Sequence, residues 1–207
     1  PVTHVSRSKE YLKRVIDESP KDKMILKPLN GFGGSGVIVI QKKASQSINS
    51  LLDFYINSKG ESTPVILQEF VEGAEEGDVR ILMLNGEPIG AMRRIPGEED
   101  VRSNVHAGGS AVKHTLTKGE RLLCKKIGPK LVADSLFLVG LDVINGKLIE
   151  VNVCSPGGIT RINRFNNTRL QKKIMDFAEH VVRKKVYAIQ RKIEFKREVD
   201  HAHSQHR

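Results

Sequence analysis

Between two β-branched runs, Met24 to Pro28 and Val37 to Ile40, the chain packs Gly31, Gly33, Gly34 and Gly36 into one short connection. Glycines at this density let backbone N–H groups wrap phosphate oxygens, because they permit positive φ and add no side-chain bulk. The connection is not a Walker A loop, which needs Gly-Lys-Ser/Thr running into a helix. Nor is it a dinucleotide fingerprint, since a strand follows it. Two readings remain, an ordinary glycine-rich turn and a flap that covers a nucleotide. Lys27 favours the flap, because a cation on the preceding strand reaches phosphates held beneath it.

With 207 residues the chain can bury a core in one large domain or two small ones. Its 34 Lys+Arg against 24 Asp+Glu give a net charge of +10, which suits nucleic acid, an acidic membrane surface or small anions equally well. Part of the excess is local: from Lys184 onward seven basic residues face three acidic ones. Aromatics are only 5% with no Trp, and no stacking or helix-turn-helix pattern appears, which weighs against a nucleic-acid module. Cys124 and Cys154 alone exclude a disulfide framework and a four-cysteine zinc site, and favour a reducing, cytoplasmic setting. The longest apolar run, Leu136 to Leu141, is far short of the roughly 18 residues of a membrane span, so no membrane partner is expected. The absence of an initial Met fits initiator removal or a chain cut from something longer.

The periodicities predict an α+β fold. Ser8 caps a helix with Leu12, Val15 and Ile16 inward, ending near Ser19-Pro20. Ile48, Leu51, Leu52 and Tyr55 recur at helical spacing, and Val65 to Phe70 reads as a strand. Val79 to Leu84 and Pro88 to Ile95 form a hairpin about Asn85-Gly86. Pro96 to Gly109, polar and aperiodic, reads as a mobile loop. Thr117 and Glu120 make a capping box for a helix with Leu123, Ile127 and Leu131 inward and a kink at Gly128-Pro129. A last hairpin turns at Asn145-Gly146, and one final helix starts near Arg161 or Asn163 with Leu170, Ile174, Phe177 and Val181 inward.

Two further constellations carry chemistry. Glu150 and Asn152 share a strand face, and Asp142 on the partner strand completes an oxygen set suited to Mg²⁺. Asp142 joins that face only if the turn holds three residues, Asn145 to Lys147, and pairs it with Glu150; a two-residue turn pairs Asp142 with Ile149 and points Glu150 away. Arg80, Arg94 and Arg102 can hold carboxylates and phosphates by paired hydrogen bonds and stabilise oxyanions. Together with Lys27 and the flap, these groups point to transfer of a phosphoryl group to a carboxylate.

From about Pro1 to about Val182 the sequence resembles the ATP-grasp carboxylate-amine ligases, above all the bacterial type of glutathione synthetase. The resemblance runs through Ile25-Leu26-Lys27-Pro28-Leu29-Asn30-Gly31 with Gly33-Gly34, Arg94-Ile95-Pro96, Arg102-Ser103-Asn104 with Ala107-Gly108-Gly109, Val139-Gly140-Leu141-Asp142-Val143, Glu150-Val151-Asn152-Val153 and Ser155-Pro156. It implies an ATP-grasp domain over 1–183, with a nucleotide-covering subdomain at about 22–72, a metal-binding subdomain at about 73–183 and a basic extension at 184–207. ATP would lie between the subdomains, its phosphates against Lys27, Gly31, Gly33 and Gly34. Its adenine would meet Gln68, Glu69, Phe70 and Val71, mostly through backbone groups, and Asp78 would lie near the ribose.

Two Mg²⁺ ions, replaceable by Mn²⁺, would be held by Asp142, Glu150 and Asn152. The resemblance further implies that γ-glutamylcysteine is phosphorylated on its cysteinyl carboxylate and attacked by glycine. Arg80, Arg94 and Arg102 would steady the acyl phosphate, a lid from about Ile95 to Gly109 would exclude water, and Asn104, Gly108, Gly109 and Ser155 would serve the substrate.

Members of the family also have an N-terminal substrate domain and a further ATP-contacting lysine ahead of the region matched here. Without them the chain is expected to bind Mg-ATP weakly and turn over poorly. Cys154 and Gly157-Gly158 depart from the family pattern. Their positions leave open a ligase joining a different carboxylate and amine, or a non-catalytic nucleotide-binding remnant. Self-association is compatible with the sequence, and the tail's His201, His203 and His206 read as part of a solvated helix.

Overall fold

The computed structural model describes residues 1–31, 34–43, 45–57, 61–97 and 109–204, with only the backbone described at 45–46 and 199–204. Two compact units divide at Gly158/Ile159. The first is α+β and contains two antiparallel sheets. Sheet one has the order β1-β4-β2-β3, formed by β1 (Thr3–Ser6), β2 (Lys23–Pro28), β3 (Ile38–Gln41) and β4 (Val65–Glu69). Leu12 and Ile16 of α1 (Lys9–Glu18) and Ile48, Leu52 and Ile56 of α2 (Ser45–Ile56) bury against Met24, Leu26, Ile40, Val65 and Leu67 of the strands. The Ser8 cap forms as expected, its hydroxyl accepting from the Tyr11 N–H. Strand β1 is additional to the sequence reading: its alternation is short and its outward residues are polar or exposed, so the run carries no strong period.

Sheet two has the order β7-β6-β5-β8-β9, formed by β5 (Asp78–Leu84), β6 (Glu87–Ile95), β7 (Ser110–Lys113), β8 (Leu138–Ile144) and β9 (Lys147–Asn152). One face buries Val79, Ile81, Met83, Ala91, Val139, Leu141 and Val143 with Cys124 and Leu131 of α3 (Lys118–Ala133). The opposite face of β5, β8 and β9 carries Asp78, Arg80, Asp142, Glu150 and Asn152 alongside apolar residues such as Leu82 and Ile144. Helix α3 runs continuously through Pro129. Short β7 occupies the edge next to β6 and, like β1, was not legible as a strand.

The capping box at α3 is complete, and Glu120 does double duty. Its carboxylate accepts from the Thr117 N–H at 2.8 Å and lies 2.9 Å from His114 Nε2. Burial alone would raise the Glu120 pKa, but the His114 hydrogen bond and the Thr117 N–H together hold it below the ordinary value. A depressed carboxylate contributes stability that is present above its unfolded value, here near 4.5, and lost as pH falls through the folded value. Glu120→Ala should therefore cost about 1–2 kcal/mol at neutral pH. In urea titrations the gap between parent and variant should narrow on acidification, and a gap constant down to about pH 2 would refute the assignment.

The second unit holds α4 (Ile159–Asn166) and α5 (Leu170–Ser204). One final helix was expected, and two are found. Asn167 takes φ 50, and the Asn163 carboxamide bridges the break by accepting from the Leu170 N–H at 2.9 Å. Leu170 is buried and Ile174, Phe177 and Val181 are half-buried, as their spacing predicts. Position 184, expected to begin an extension, lies inside α5, which continues without a break. Among the described residues no helix is long and apolar enough to cross a membrane.

Candidate active site

Alternation on β5 puts Asp78 and Arg80 on the face opposite the apolar core, and β8 puts Asp142 directly across from Arg80. The result is a buried quartet. Arg80 donates to Asp142 through Nε at 2.5 Å and Nη2 at 3.0 Å, and through Nη1 to the Gly157 carbonyl at 3.2 Å. Arg94, paired across strands with Asp78, donates both Nε and Nη2 to that carboxylate at 2.6 Å, and its Nη2 also lies 2.9 Å from Asp142 Oδ2. Burial would lower the Arg94 pKa, but the hydrogen bonds and charges of Asp78 and Asp142 reverse this, so the guanidinium stays protonated. Burial would likewise raise Asp142, yet Arg80 and Arg94 hold it ionised. Gly140 makes room for the arrangement, since a Cβ there would sit 3.1 Å from Arg80 Cδ and from Pro156 Cβ.

The register of the β8–β9 hairpin resolves the question left by its turn. Ile144 pairs with Lys147, so the Asn145-Gly146 turn holds two residues, and yet Asp142 pairs with Glu150. A bulge between Asp142 and Val143 reconciles the two facts. It places one extra residue, Ile149, on β9 and swings Glu150 back to the polar face. A three-residue turn is thus not what aligns the carboxylates. Asn152, paired with Gly140, donates Nδ2 to Asp142 Oδ2 at 3.0 Å, leaving Oδ1 to accept or ligate.

Across from this face lies sheet one. Two cavities of about 640 and 190 Å³ share Lys27, Gly34, Val37, Gln68, Ile149, Glu150 and Asn152 as lining. Gly31 lines the larger; Phe70, Asp78, Arg80, Arg94 and Asp142 line the smaller, with Ile25, Val39, Ala74 and Ile144 adding an apolar wall. Burial lowers the Lys27 pKa, and the charges of Glu150 and Asp142 oppose that. Burial and the neighbouring Asp142 raise Glu150, with Lys27, Arg80 and Arg94 opposing. Lys27 and Glu150 therefore feel one another across the cleft. Gln68 ties the sheets together, its Nε2 donating to Thr3 Oγ1 at 2.8 Å and lying 3.5 Å from the Ile149 carbonyl. The glycine-rich connection is tied down at Gly36, whose carbonyl accepts from Tyr55 Oη at 2.8 Å.

Several of the expected site residues have contacts of their own or lie away from the two cavities. The Glu69 N–H donates to the Val2 carbonyl at 3.0 Å and its carboxylate accepts from the Val2 N–H, so both face β1 and not the cavity. Val71 is buried and lines neither cavity. Asp78 accepts from Arg94 through both oxygens and also lines the smaller cavity. Ser155, exposed at φ 50, does not line the cavities, whereas its neighbour Cys154 lines the larger one. Gly109 is half-buried ahead of β7. Gly33, Arg102, Asn104 and Gly108, with most of the expected lid, lie outside the described residues. The Asp78–Arg94 pair is the feature that sequence reasoning misses: the two-residue Asn85-Gly86 turn alone would set Asp78 opposite Arg93, and a bulge between Leu82 and Met83 brings it opposite Arg94.

Residues 1–167 match the family model of the prokaryotic glutathione synthetase ATP-grasp domain. The chain belongs to this ATP-grasp family. It is 40% identical over 175 residues to a glutathione synthetase of Thermosynechococcus vestitus, covering 84% of this chain and 54% of that protein. It is 41% identical over 156 residues to the glutathione synthetase of Brucella melitensis, covering 75% and 49%. The chain thus spans about half the length of the curated relatives it matches. The fold recurs in D-cycloserine synthetase, with TM-score 0.61 and 16% identity over 74% of this chain and 57% of that one. It recurs also in an ATP-complexed D-alanine–D-alanine ligase of Bacillus anthracis, with TM-score 0.57 and 12% identity over 87% and 59%. Membership of the ATP-grasp ligases implies use of ATP and of a divalent metal.

Proposed function

We propose that the chain carries the nucleotide and phosphoryl-transfer half of a glutathione synthetase, activating the cysteinyl carboxylate of γ-glutamylcysteine for attack by the glycine amine. The observation that carries this reading is the opposition of Lys27, under the glycine flap, to Glu150 and Asn152 across one cleft. Lys27 supplies a cation at the phosphates, and the low polarity that depresses its pKa also strengthens its pull on them. Gly31 and Gly34 bring backbone N–H groups close to phosphate oxygens. The apolar wall of Ile25, Val39, Phe70 and Ile144 suits a flat base.

The donor set fits Mg²⁺. Glu150 has no hydrogen-bond or ion-pair partner among the described residues, and Asn152 Oδ1 is not taken by Asp142. Among the described residues no three His, Cys, Asp or Glu cluster, so a cation here needs oxygens from outside the side chains, as a nucleotide's phosphates provide. Glu150 and Asn152 would be its main holders, with Asp142 offering at most the remaining lone pair of Oδ1, since Arg80, Arg94 and Asn152 already occupy Oδ2. The metal, when bound, would neutralise phosphate charge during transfer. Arg80 and Arg94, fixed and always charged, would face the negative charge that develops on the acyl phosphate and the tetrahedral species. A second Mg²⁺, substitution by Mn²⁺, and a separate N-terminal domain completing the substrate site belong to this same proposal.

Calorimetric titration of the chain with Mg-ADP and Mg-ATP tests the reading. Lys27→Met should weaken binding roughly tenfold or more, the cost of about 1.4 kcal/mol or above. Glu150→Gln should remove the Mg²⁺ dependence while circular dichroism stays unchanged. Nucleotide titrations identical for parent and both variants would defeat the assignment. Phosphate release that requires both γ-glutamylcysteine and glycine, and fails with other amines, would identify the substrate pair.

A further inference from the structure

Helix α5 carries a second apolar stripe that its own packing does not use. Its half-buried residues, Ile174, Phe177 and Val181, follow Leu170 along one face. Met175, Val182, Val186, Ile189 and Ile193 fall on another face, roughly 120° away at 100° per residue, and every one of them is exposed. The two stripes overlap in sequence from Ile174 to Val182, so the second is not the first continued. Val182, Val186, Ile189 and Ile193 recur at 4, 3 and 4 residues, the seam spacing of a helix that pairs with another helix.

The charge beside this seam says what pairs with it. Arg183, Lys185, Lys192 and Arg197 flank it on both sides, and Gln190 is the one neutral flanking position between them. Arg183 is paired within the helix to Glu179 at 3.1 Å, whereas Lys185, Lys192 and Arg197 have no acidic partner among the described residues. A second copy of this helix would set cation against cation in either orientation. A bilayer surface also fits poorly: the stripe is narrow and β-branched, and the exposed Tyr187 and Phe195 lie on the far side among charges, where a helix lying in a membrane would not put them. We propose that the 182–197 segment docks a partner protein through an amphipathic helix with an apolar seam and acidic flanks.

The test uses the full chain and a labelled synthetic helix of about four heptads with Val and Leu in the seam and Glu at every flanking position. Fluorescence anisotropy should show binding that weakens steeply with salt, and no binding to the same peptide with Lys at those positions. Val186→Ser with Ile189→Ser should lower the affinity at least tenfold while helicity and nucleotide binding stay at parental levels. Lys185→Glu with Lys192→Glu should reverse the preference, toward the Lys peptide. The proposal is overturned if the Glu peptide does not bind, if the charge reversal leaves the preference unaltered, if phosphatidylglycerol vesicles capture the chain more tightly than the peptide does, or if sedimentation shows the chain dimerising through this stripe.

Discussion

Arg80→Ala will lower the free energy of unfolding by about 3–5 kcal/mol, the range found when one member of a buried ion pair is removed. Three losses coincide at this side chain. Asp142 keeps only Arg94 and Asn152 as donors, and the neighbouring Glu150 then faces a poorly neutralised carboxylate. The Gly157 carbonyl loses its donor, and the space that Gly140 leaves for the guanidinium stem stands empty. Urea denaturation at neutral pH measures the effect, and a loss below about 1 kcal/mol would mean that the quartet is not a coupled unit. The double variant Arg80→Met, Asp142→Leu should recover much of the loss, because both desolvated charges go together and Arg94 still has Asp78. It should recover none of the nucleotide binding, which separates the stabilising role of the quartet from its part in the site.

Gly77→Ala is expected to be comparably damaging for a reason unrelated to charge. Gly77 adopts φ 91 just before β5, and a Cβ there would lie 1.9 Å from the Arg94 carbonyl oxygen and 2.9 Å from its carbon. Both obstacles are backbone, so relief requires moving the end of β6 away from β5. That movement would pull Arg94 off Asp78. The expected cost is about 3 kcal/mol or more, from left-handed backbone strain plus displacement of a paired strand. Gly146→Ala is the matched control: Gly146 has φ 71 with nothing within 4 Å of a built Cβ. It should cost only about 1–2 kcal/mol, the conformational part alone. Equal thermal midpoints for the two variants would show that the contact with Arg94 relaxes freely.

Much of this architecture was legible because local signals agreed with the tertiary outcome. The Ser8 and Thr117 caps, the two Asn-Gly turns and the apolar stripes of α1 to α3 each depend on residues within a few positions of one another. What escaped depends on distant partners. Strand β1 exists because β4 offers it an edge, and nothing between Thr3 and Ser6 announces that. The β8–β9 hairpin shows the limit most clearly. Turn length alone would have sent Glu150 to the wrong face, and the bulge that restores it is written in no single residue type. The Asp78–Arg94 pairing is likewise not announced locally, because a bulge between Leu82 and Met83 shifts the hairpin register and brings Asp78 opposite Arg94. The break at Asn167 was overlooked for a related reason, since the Asn163 carboxamide that bridges it lies a full turn away.

The hydrogen bond from Tyr55 to the Gly36 carbonyl has a spectroscopic consequence. The chain contains three tyrosines and no tryptophan, so its intrinsic emission comes from phenol rings alone, with no indole to mask them. Tyr55 is partly buried behind the glycine connection, while Tyr187 is exposed on α5. A phenol bonded to a peptide carbonyl emits differently from one released to water. Breaking of the Tyr55–Gly36 bond should therefore register in the tyrosine emission, over the contributions of Tyr11 and Tyr187, without a label.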